Sequence, residues 1–135
     1  MALIVWDKSY SVNVRRCDEE HQKLFSLFND LYKAMSGTNV SGTIRDTVRQ
    51  LSEYTRTHFL AEEALMQRTN YPGLAAHRIE HQKFIAQVKK FQTDVENGDE
   101  VNLIAVLGFL KDWLANHIRQ TDRAYSAHLN ANGVN

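Results

Sequence analysis

The chain has 135 residues, of which 43% are hydrophobic and 24% are charged, and its 16 basic and 16 acidic residues give a formal net charge of +0. This composition predicts a single folded domain over residues 1–135 and excludes an intrinsically disordered chain. Because the charges balance, we expect no general attraction to nucleic acid or to an anionic membrane, and function must lie in a local site.

The N-terminal segment precedes the first helical pattern. Residues 1–17 fit neither the helical nor the strand period, so we predict an arm whose Trp6 and Tyr10 pack against the rest of the protein. The first helix is predicted over residues 19–36, where core-type residues recur at steps of three and four. Its stripe is His21, Leu24, Phe28, Leu31 and Met35.

Three further helices are predicted over residues 43–68, 74–96 and 100–129, followed by a tail over 131–135. Each carries one stripe of apolar residues that also includes one or two histidines or an acid. The stripes include Val48, Leu51, His58 and Glu62 in the second helix, His77, His81, Phe84 and Val88 in the third, and Leu107, Leu110, Leu114 and His117 in the fourth.

Residues that start and stop helices fall at the expected boundaries. The predicted N-caps are Asp18, Ser41 and Asp99, and the predicted helix terminators are Gly37 and Gly98. Short connections join antiparallel neighbours. The sequence therefore predicts an all-α fold, an up-down-up-down antiparallel four-helix bundle with an N-terminal arm.

Three features favour a cytoplasmic protein. Cys17 is the single cysteine, so no internal disulfide is possible, as is usual in a reducing compartment. The apolar run near the N-terminus is short and no basic region precedes it, so we expect no signal peptide. No segment approaches the roughly 18 apolar residues of a membrane span.

Histidines and acids at core positions indicate a metal centre. Burying ionisable groups costs several kcal/mol unless they are paired, neutralised or bound to metal. His58 and Glu62 are four residues apart, as are His77 and His81, so each pair lies on one helix face and can reach a common ion.

His117 and Asp122 are five residues apart, which in a regular helix turns the second side chain about 140° from the first. Two interpretations remain open: two ions lying side by side with Asp122 bridging them, or a local widening of the helix such as a π-bulge. His21 is the only histidine of the first helix.

An up-down bundle brings all seven residues to the same end. Seven ligands are more than the roughly three or four protein ligands of a zinc site. They suit two octahedral first-row ions that share carboxylates. Imidazole together with bridging carboxylates favours iron. The predicted metal ligands are His21, His58, Glu62, His77, His81, His117 and Asp122.

The segments around these residues resemble the hemerythrin family in its bacterial form. The similar stretches are HQKLF at His21, THFLAEE at His58, YPGLAAHRIEHQKF at His77 and His81, and WLANHIRQTD at His117. The resemblance extends from Trp6 to about Tyr125 and fills every ligand position of the family pattern.

This resemblance implies a non-haem di-iron centre (Fe2+/Fe3+). One iron would be held by His77, His81 and His117 and the other by His21 and His58, with an open position on the second. Glu62, Asp122 and an oxo or hydroxo group would bridge the irons. An oxygen pocket lined by Phe59, Trp113, Leu114 and Ile118 is implied as well.

The resemblance also implies reversible dioxygen binding for storage, transport or delivery, by a protein that is not an enzyme. We expect a monomer whose partners are dioxygen and an oxygen-consuming enzyme or redox partner, with no nucleic acid involved. The alternatives are sensing of dioxygen, nitric oxide or redox state through the same site, a metal buffer or detoxifier, and a di-iron oxidase. The oxidase is disfavoured because such sites use Glu-x-x-His motifs, which this sequence lacks.

Several neighbouring residues have less specific predictions. Five acids adjoin the predicted ligands and are expected to be helix caps, to be solvated or to accept hydrogen bonds from the ligands: Asp18, Glu19, Glu20, Glu63 and Glu80. His128 is expected to have a solvated or helix-terminal role, and Cys17 to serve packing.

Overall fold

A computed structural model describes residues 2–36, 41–98 and 103–135. The four long helices of these ranges are α1 (Arg15–Ser36), α2 (Ser41–Arg68), α3 (Leu74–Asn97) and α4 (Leu103–Asn116). α1 contacts α2 and α4, and α3 contacts the same two helices, so the four form a closed ring. The predicted four-helix bundle is confirmed.

The core lies along the axis of this ring, where each helix buries its apolar stripe. Its fully buried members include Leu24, Phe28 and Leu31 of α1, Leu51 of α2, Phe84 and Phe91 of α3, and Leu107 and Leu110 of α4. Each such side chain contributes about 1.5–3 kcal/mol through burial. Within the described ranges, no helix has both the length and the apolarity needed to cross a membrane.

Helix ends agree with the sequence at some positions. α3 ends at Asn97, and Gly98 follows in the left-handed region with φ 69°, its N–H donating to the carbonyls of Asp94 and Val95. Its predicted terminator role is confirmed. The described part of α2 begins at Ser41, directly after residues that lie outside the description, so the N-cap role of Ser41 stays a prediction; Gly37 and Asp99 also lie outside the described residues.

The start of α1 differs from the prediction. The helix begins at Arg15, within the segment predicted as an arm, so Asp18 lies inside the first turn and its predicted N-cap role is wrong. The Asp18 carboxylate instead accepts the Val12 N–H at 2.8 Å and the Ser11 hydroxyl at 2.6 Å. Asp18 therefore ties the arm to the helix from within the helix. The arm also contains one 3-10 turn, Lys8–Tyr10.

The arm packs over the bundle as predicted. The rings of Trp6 and Tyr10 lie 5.6 and 4.8 Å from the ring of Phe25 in α1. The Arg119 guanidinium lies 4.0 Å above the Tyr10 ring and donates to the Ser9 hydroxyl at 2.9 Å. The arm thus covers the segment that follows α4.

The fourth helical region continues past residue 129 as predicted, but it is not a regular α-helix throughout. α4 is followed by a π-helical segment (His117–Asp122), a 3-10 turn (Arg123–Tyr125) and α5 (Ser126–Ala131). A π-helix forms i→i+5 hydrogen bonds, and its wider turn returns residues five apart to the same side. One of the two interpretations of the five-residue spacing, a local widening, is therefore present.

Asp18→Ala should destabilise the fold, because two donors lose a charged acceptor. The expected loss is about 1.5–3 kcal/mol in the free energy of unfolding, measured by urea denaturation. Asp30→Ala is the matched control, since it removes the same charge from an exposed position of α1. Equal effects of the two substitutions would show that Asp18 does not anchor the arm.

Candidate metal centre

The structure gathers all seven predicted ligands at one end of the bundle. α1 supplies one of them, α2 and α3 supply two each, and the π-helical segment supplies the last two. They are His21, His58, Glu62, His77, His81, His117 and Asp122, and each is at most 3% exposed. Their placement together is a finding, whereas their role as ligands stays a prediction.

These side chains form two groups capable of holding a metal ion, and within each group the candidate ligand atoms lie within 4.8 Å of one another. The three-histidine group contains Glu62, His77, His81, His117 and Asp122, and the two-histidine group contains His21, His58, Glu62 and Asp122. Both carboxylates belong to both groups, so the groups are adjacent and joined.

Each shared carboxylate turns one oxygen toward each group. Glu62 Oε1 lies 3.2 Å from His81 Nε2, while Glu62 Oε2 lies 3.2 Å from His21 Nε2. Asp122 Oδ1 lies 2.8 and 2.9 Å from the Nε2 atoms of His77 and His117, while Asp122 Oδ2 lies 3.1 Å from His21 Nε2. This is the arrangement that two bridging carboxylates require.

Many of these buried atoms face each other at short distance without forming hydrogen bonds. Among the described residues, the atoms without a hydrogen-bond partner include Nε2 of His58, His77, His81 and His117, Oε1 of Glu62 and both carboxylate oxygens of Asp122. Unsatisfied buried polar atoms are rare because each costs free energy. Two metal ions would satisfy this whole set, so the residues fit a dinuclear centre.

The two buried carboxylates of the cluster also stabilise positive charge beside them. Burial alone would lower the pKa of His21, but Asp122 and Glu62 outweigh it and raise that pKa to about 9. Asp122 has the same effect on His117, whose pKa also rises to about 9 against the effect of burial. Conversely, burial would raise the pKa of Glu62, but His58 and His21 hold it well below its ordinary value. Without metal, protons take the place of the cations.

Three glutamates hold the outer nitrogens of three imidazoles. The Nδ1 atoms of His58, His81 and His117 donate to Glu20, Glu63 and Glu80 at 2.7, 2.8 and 3.1 Å, respectively. Such contacts fix the ring orientation and leave Nε2 free to coordinate. The sequence left three roles open for these acids, as caps, solvated residues or hydrogen-bond acceptors, and the structure shows that these three are acceptors.

The partners of these glutamates were missed from the sequence. Arg16 donates to Glu20 at 3.2 Å, and Arg78 donates to Glu63 at 3.0 Å. The four-residue spacing of Arg16 and Glu20 could have indicated the first pair. The second joins α2 to α3 and has no signal in the local sequence.

Tyr125 is a further residue that the sequence analysis missed. Its hydroxyl donates to Glu62 Oε2 at 2.6 Å, and its ring stacks on His77 with centroids 5.7 Å apart. Cys17 is buried against this phenol, and burial raises the pKa of both the Cys17 thiol and the Tyr125 hydroxyl. Both groups therefore stay protonated and neutral. The position of Tyr125 three residues after Asp122 was the available signal.

The four residues predicted to line an oxygen pocket lie beside the cluster or in the core next to it. Phe59 stacks on His81 with ring centroids 3.7 Å apart, and Trp113 stacks on His117 at 4.8 Å. Leu114 and Ile118 are fully buried. Their lining of a gas pocket stays a prediction, but an apolar layer at this end of the bundle is present.

The sixth histidine does not belong to either metal-capable group. His128 of α5 donates from Nε2 to the carbonyl of Thr69 at 2.7 Å, and its ring lies 5.3 Å from that of Tyr71. It thus satisfies a carbonyl just past the end of α2. This contact is the helix-terminal kind of role expected for it.

Comparison with known proteins gives one consistent family. The family model "Hemerythrin HHE cation binding domain" matches residues 12–129. A bacteriohemerythrin of Stenotrophomonas maltophilia is 31% identical over 134 residues, covering 96% of this chain and 86% of the relative. A bacteriohemerythrin of Methylococcus capsulatus is 34% identical over 133 residues, covering 97% of this chain and 100% of the relative.

A more distant source and a solved structure agree. Myohemerythrin of Riftia pachyptila is 32% identical over 125 residues, covering 93% of this chain and 92% of the relative. A crystal structure of wild-type hemerythrin superposes with a TM-score of 0.88 at 32% identity, covering 95% of this chain and 98% of that one.

The stability of the metal-free protein should fall as the pH rises above neutrality. Because the pKa values of His21 and His117 rise from 6.5 to about 9, the stability they contribute is complete below pH 6.5 and is lost as the pH rises through about 9. Protein loaded with zinc should lack this loss, because metal replaces the protons. Thermal unfolding from pH 6 to pH 10 measures both, and coincident profiles would contradict the account.

Proposed function

Because the chain belongs to the hemerythrin family, we propose that its clustered side chains hold two iron ions and that the loaded protein binds dioxygen reversibly, for storage, transport or delivery. The observation that carries this proposal is the pair of metal-capable groups that share Glu62 and Asp122. Shared carboxylates hold two ions close together, and an isolated ion would not need both groups.

In this proposal each group holds one ion. His77, His81 and His117 would hold the first ion and His21 and His58 the second, and Glu62 and Asp122, which belong to both groups, would serve both ions. The fit is supported by the unpartnered Nε2 atoms, which all belong to the proposed donor set. Imidazole and carboxylate together suit iron.

The difference between the groups supports a vacant position at the second ion. The three-histidine group offers five residues and the two-histidine group offers four. With the same bridges, the second ion therefore has one protein ligand fewer, and dioxygen would occupy that position. When bound, the ferrous pair supplies the two electrons that dioxygen takes up on binding and returns on release.

The surrounding residues would protect this exchange from water. Phe59, Leu114 and Ile118 are buried, apolar and close in sequence to proposed ligands, so they exclude water and protons from the gas position. Tyr125 contributes differently: its neutral hydroxyl stays on Glu62 and keeps that bridging carboxylate in one orientation. A dry and fixed environment favours release of intact dioxygen.

The donor set separates this proposal from carboxylate-rich di-iron enzymes. Those bundles use a glutamate from each of two helices and a Glu-x-x-His motif from each of the other two. Here the groups contain five imidazoles and only two carboxylates. Fewer anionic ligands stabilise high oxidation states less, which favours reversible binding.

Anaerobic titration of the iron-loaded, reduced protein with dioxygen tests the function. We expect two irons per chain and a visible charge-transfer band that appears with dioxygen and disappears on its removal over repeated cycles. His58→Ala should lose iron and the band, whereas His128→Ala, outside the cluster, should keep both. Stoichiometric zinc without iron binding, or a band that decays irreversibly in one cycle, would refute the proposal.

Leu114→Ala should accelerate autoxidation by opening the apolar layer to water, with a rate increase of about tenfold or more. The measurement is the decay of the dioxygen-bound absorption in air. Leu107→Ala is the matched control, because it leaves a similar cavity about two turns earlier in α4. If both variants oxidise at the same rate, Leu114 does not line the gas position.

A further inference from the structure

The three glutamates that accept hydrogen bonds from the imidazoles differ in their exposure to solvent. The side chains of Glu20 and Glu63 are 20% and 14% exposed, and each is paired with an arginine. The Glu80 side chain is 42% exposed, and in place of an arginine its other partner is the Thr121 hydroxyl at 3.0 and 3.1 Å. Glu80 is therefore a solvent-accessible carboxylate that accepts a hydrogen bond from His117 of the cluster.

Glu80 lies at the edge of a polar depression of about 160 Å³. The depression is lined by Glu80, Trp113, Asn116, His117, Gln120 and Thr121. The His117 side chain is 1% exposed, and its Nε2 atom has no hydrogen-bond partner among the described residues. One imidazole ring thus separates this depression from the inner atoms of the cluster.

The depression offers oxygen atoms of several kinds beside that ring. Among the residues that line it, Glu80 carries a carboxylate, Asn116 and Gln120 carry side-chain amides, and Thr121 carries a hydroxyl. Such groups replace the water ligands of a hydrated divalent cation a few at a time. Dioxygen is apolar and gains nothing from them, whereas a cation cannot cross the apolar layer without losing its hydration.

We propose that this depression is the entry site where a hydrated ferrous ion binds before it reaches the dinuclear centre. The proposal rests on the proposed function, since it requires the cluster to be a metal centre. Glu80 provides the attracting charge, and the amide and hydroxyl oxygens hold the ion while it loses water. No electron is transferred in this step: water ligands leave and protein ligands replace them.

Passage inward requires only local movement. The hydrogen bonds of Glu80 to His117 and Thr121 must open, after which the ring can turn and admit the ion. His117 and Thr121 both belong to the π-helical segment. π-Helical turns are rare and short, and functional openings are drawn from the less stable parts of a fold.

Stopped-flow mixing of metal-free protein with Co2+, followed by visible absorption, measures the loading rate and the final stoichiometry. Wild type should take up two Co2+ per chain. Glu80→Gln should load about tenfold more slowly, since one attracting charge is lost, while still reaching the same stoichiometry at saturating Co2+. Glu63→Gln alters the equivalent bond to His81 away from the depression, so it should weaken affinity without slowing loading.

A gain-of-function pair keeps the test informative if Glu80→Gln folds poorly. Gln120→Glu adds a carboxylate to the depression and should accelerate loading by about threefold. Gln92→Glu makes the same charge change about 16 Å along α3 from His81 and should leave the rate unchanged.

Three results would overturn the entry site. They are equal loading rates in all variants, equal slowing by Glu63→Gln and Glu80→Gln, and equal acceleration by Gln120→Glu and Gln92→Glu. The second would show that Glu80 only positions His117. If wild type takes up no Co2+ at all, both this inference and the proposed metal centre are refuted, which distinguishes that failure from the others.

Discussion

Two carboxylates buried among imidazoles are the constraint on which this structure depends. Glu62 and Asp122 are almost completely buried, and two uncompensated charges in a bundle core would cost several kcal/mol each. Compensation comes from residues of α1, α2, α3 and the π-helical segment, so all four must meet at one end. Either protons or metal ions can supply the positive charge that stabilises the fold at this end. In the proposed function, that charge comes from the metal ions.

The cluster has apolar and polar surroundings, and Trp113, which stacks on His117, lies at the wall of the polar depression. Phe59, Leu114 and Ile118 are buried and apolar, and in the proposed function they line the gas position. Glu80 and Thr121 belong to a polar depression suited to a hydrated cation. Under the two proposals metal and gas would take separate routes, because the two ligands differ strongly in their cost of dehydration.

The sequence predicted what regular helix geometry controls and missed what depends on contacts between segments. The four-residue spacings of His58 with Glu62 and of His77 with His81 placed each pair on one face. The five-residue spacing before Asp122 left two interpretations, since no local rule fixes where a π-helix forms.

Asp18 was misplaced for a related reason: from within a helix its side chain reaches back to the arm, a contact that capping preferences do not reveal. Likewise, spacing alone could not show Arg78 reaching Glu63 from another helix or Tyr125 donating to Glu62.

The central claim is that these side chains enclose a pair of irons and not a single ion. X-ray absorption at the iron edge of the loaded, reduced protein tests it most directly. The account predicts iron–iron scattering at about 3.5 Å together with an average of between two and three imidazole nitrogens per iron. Spectra with no iron–iron contribution, or with imidazole absent from the coordination shell, would contradict it.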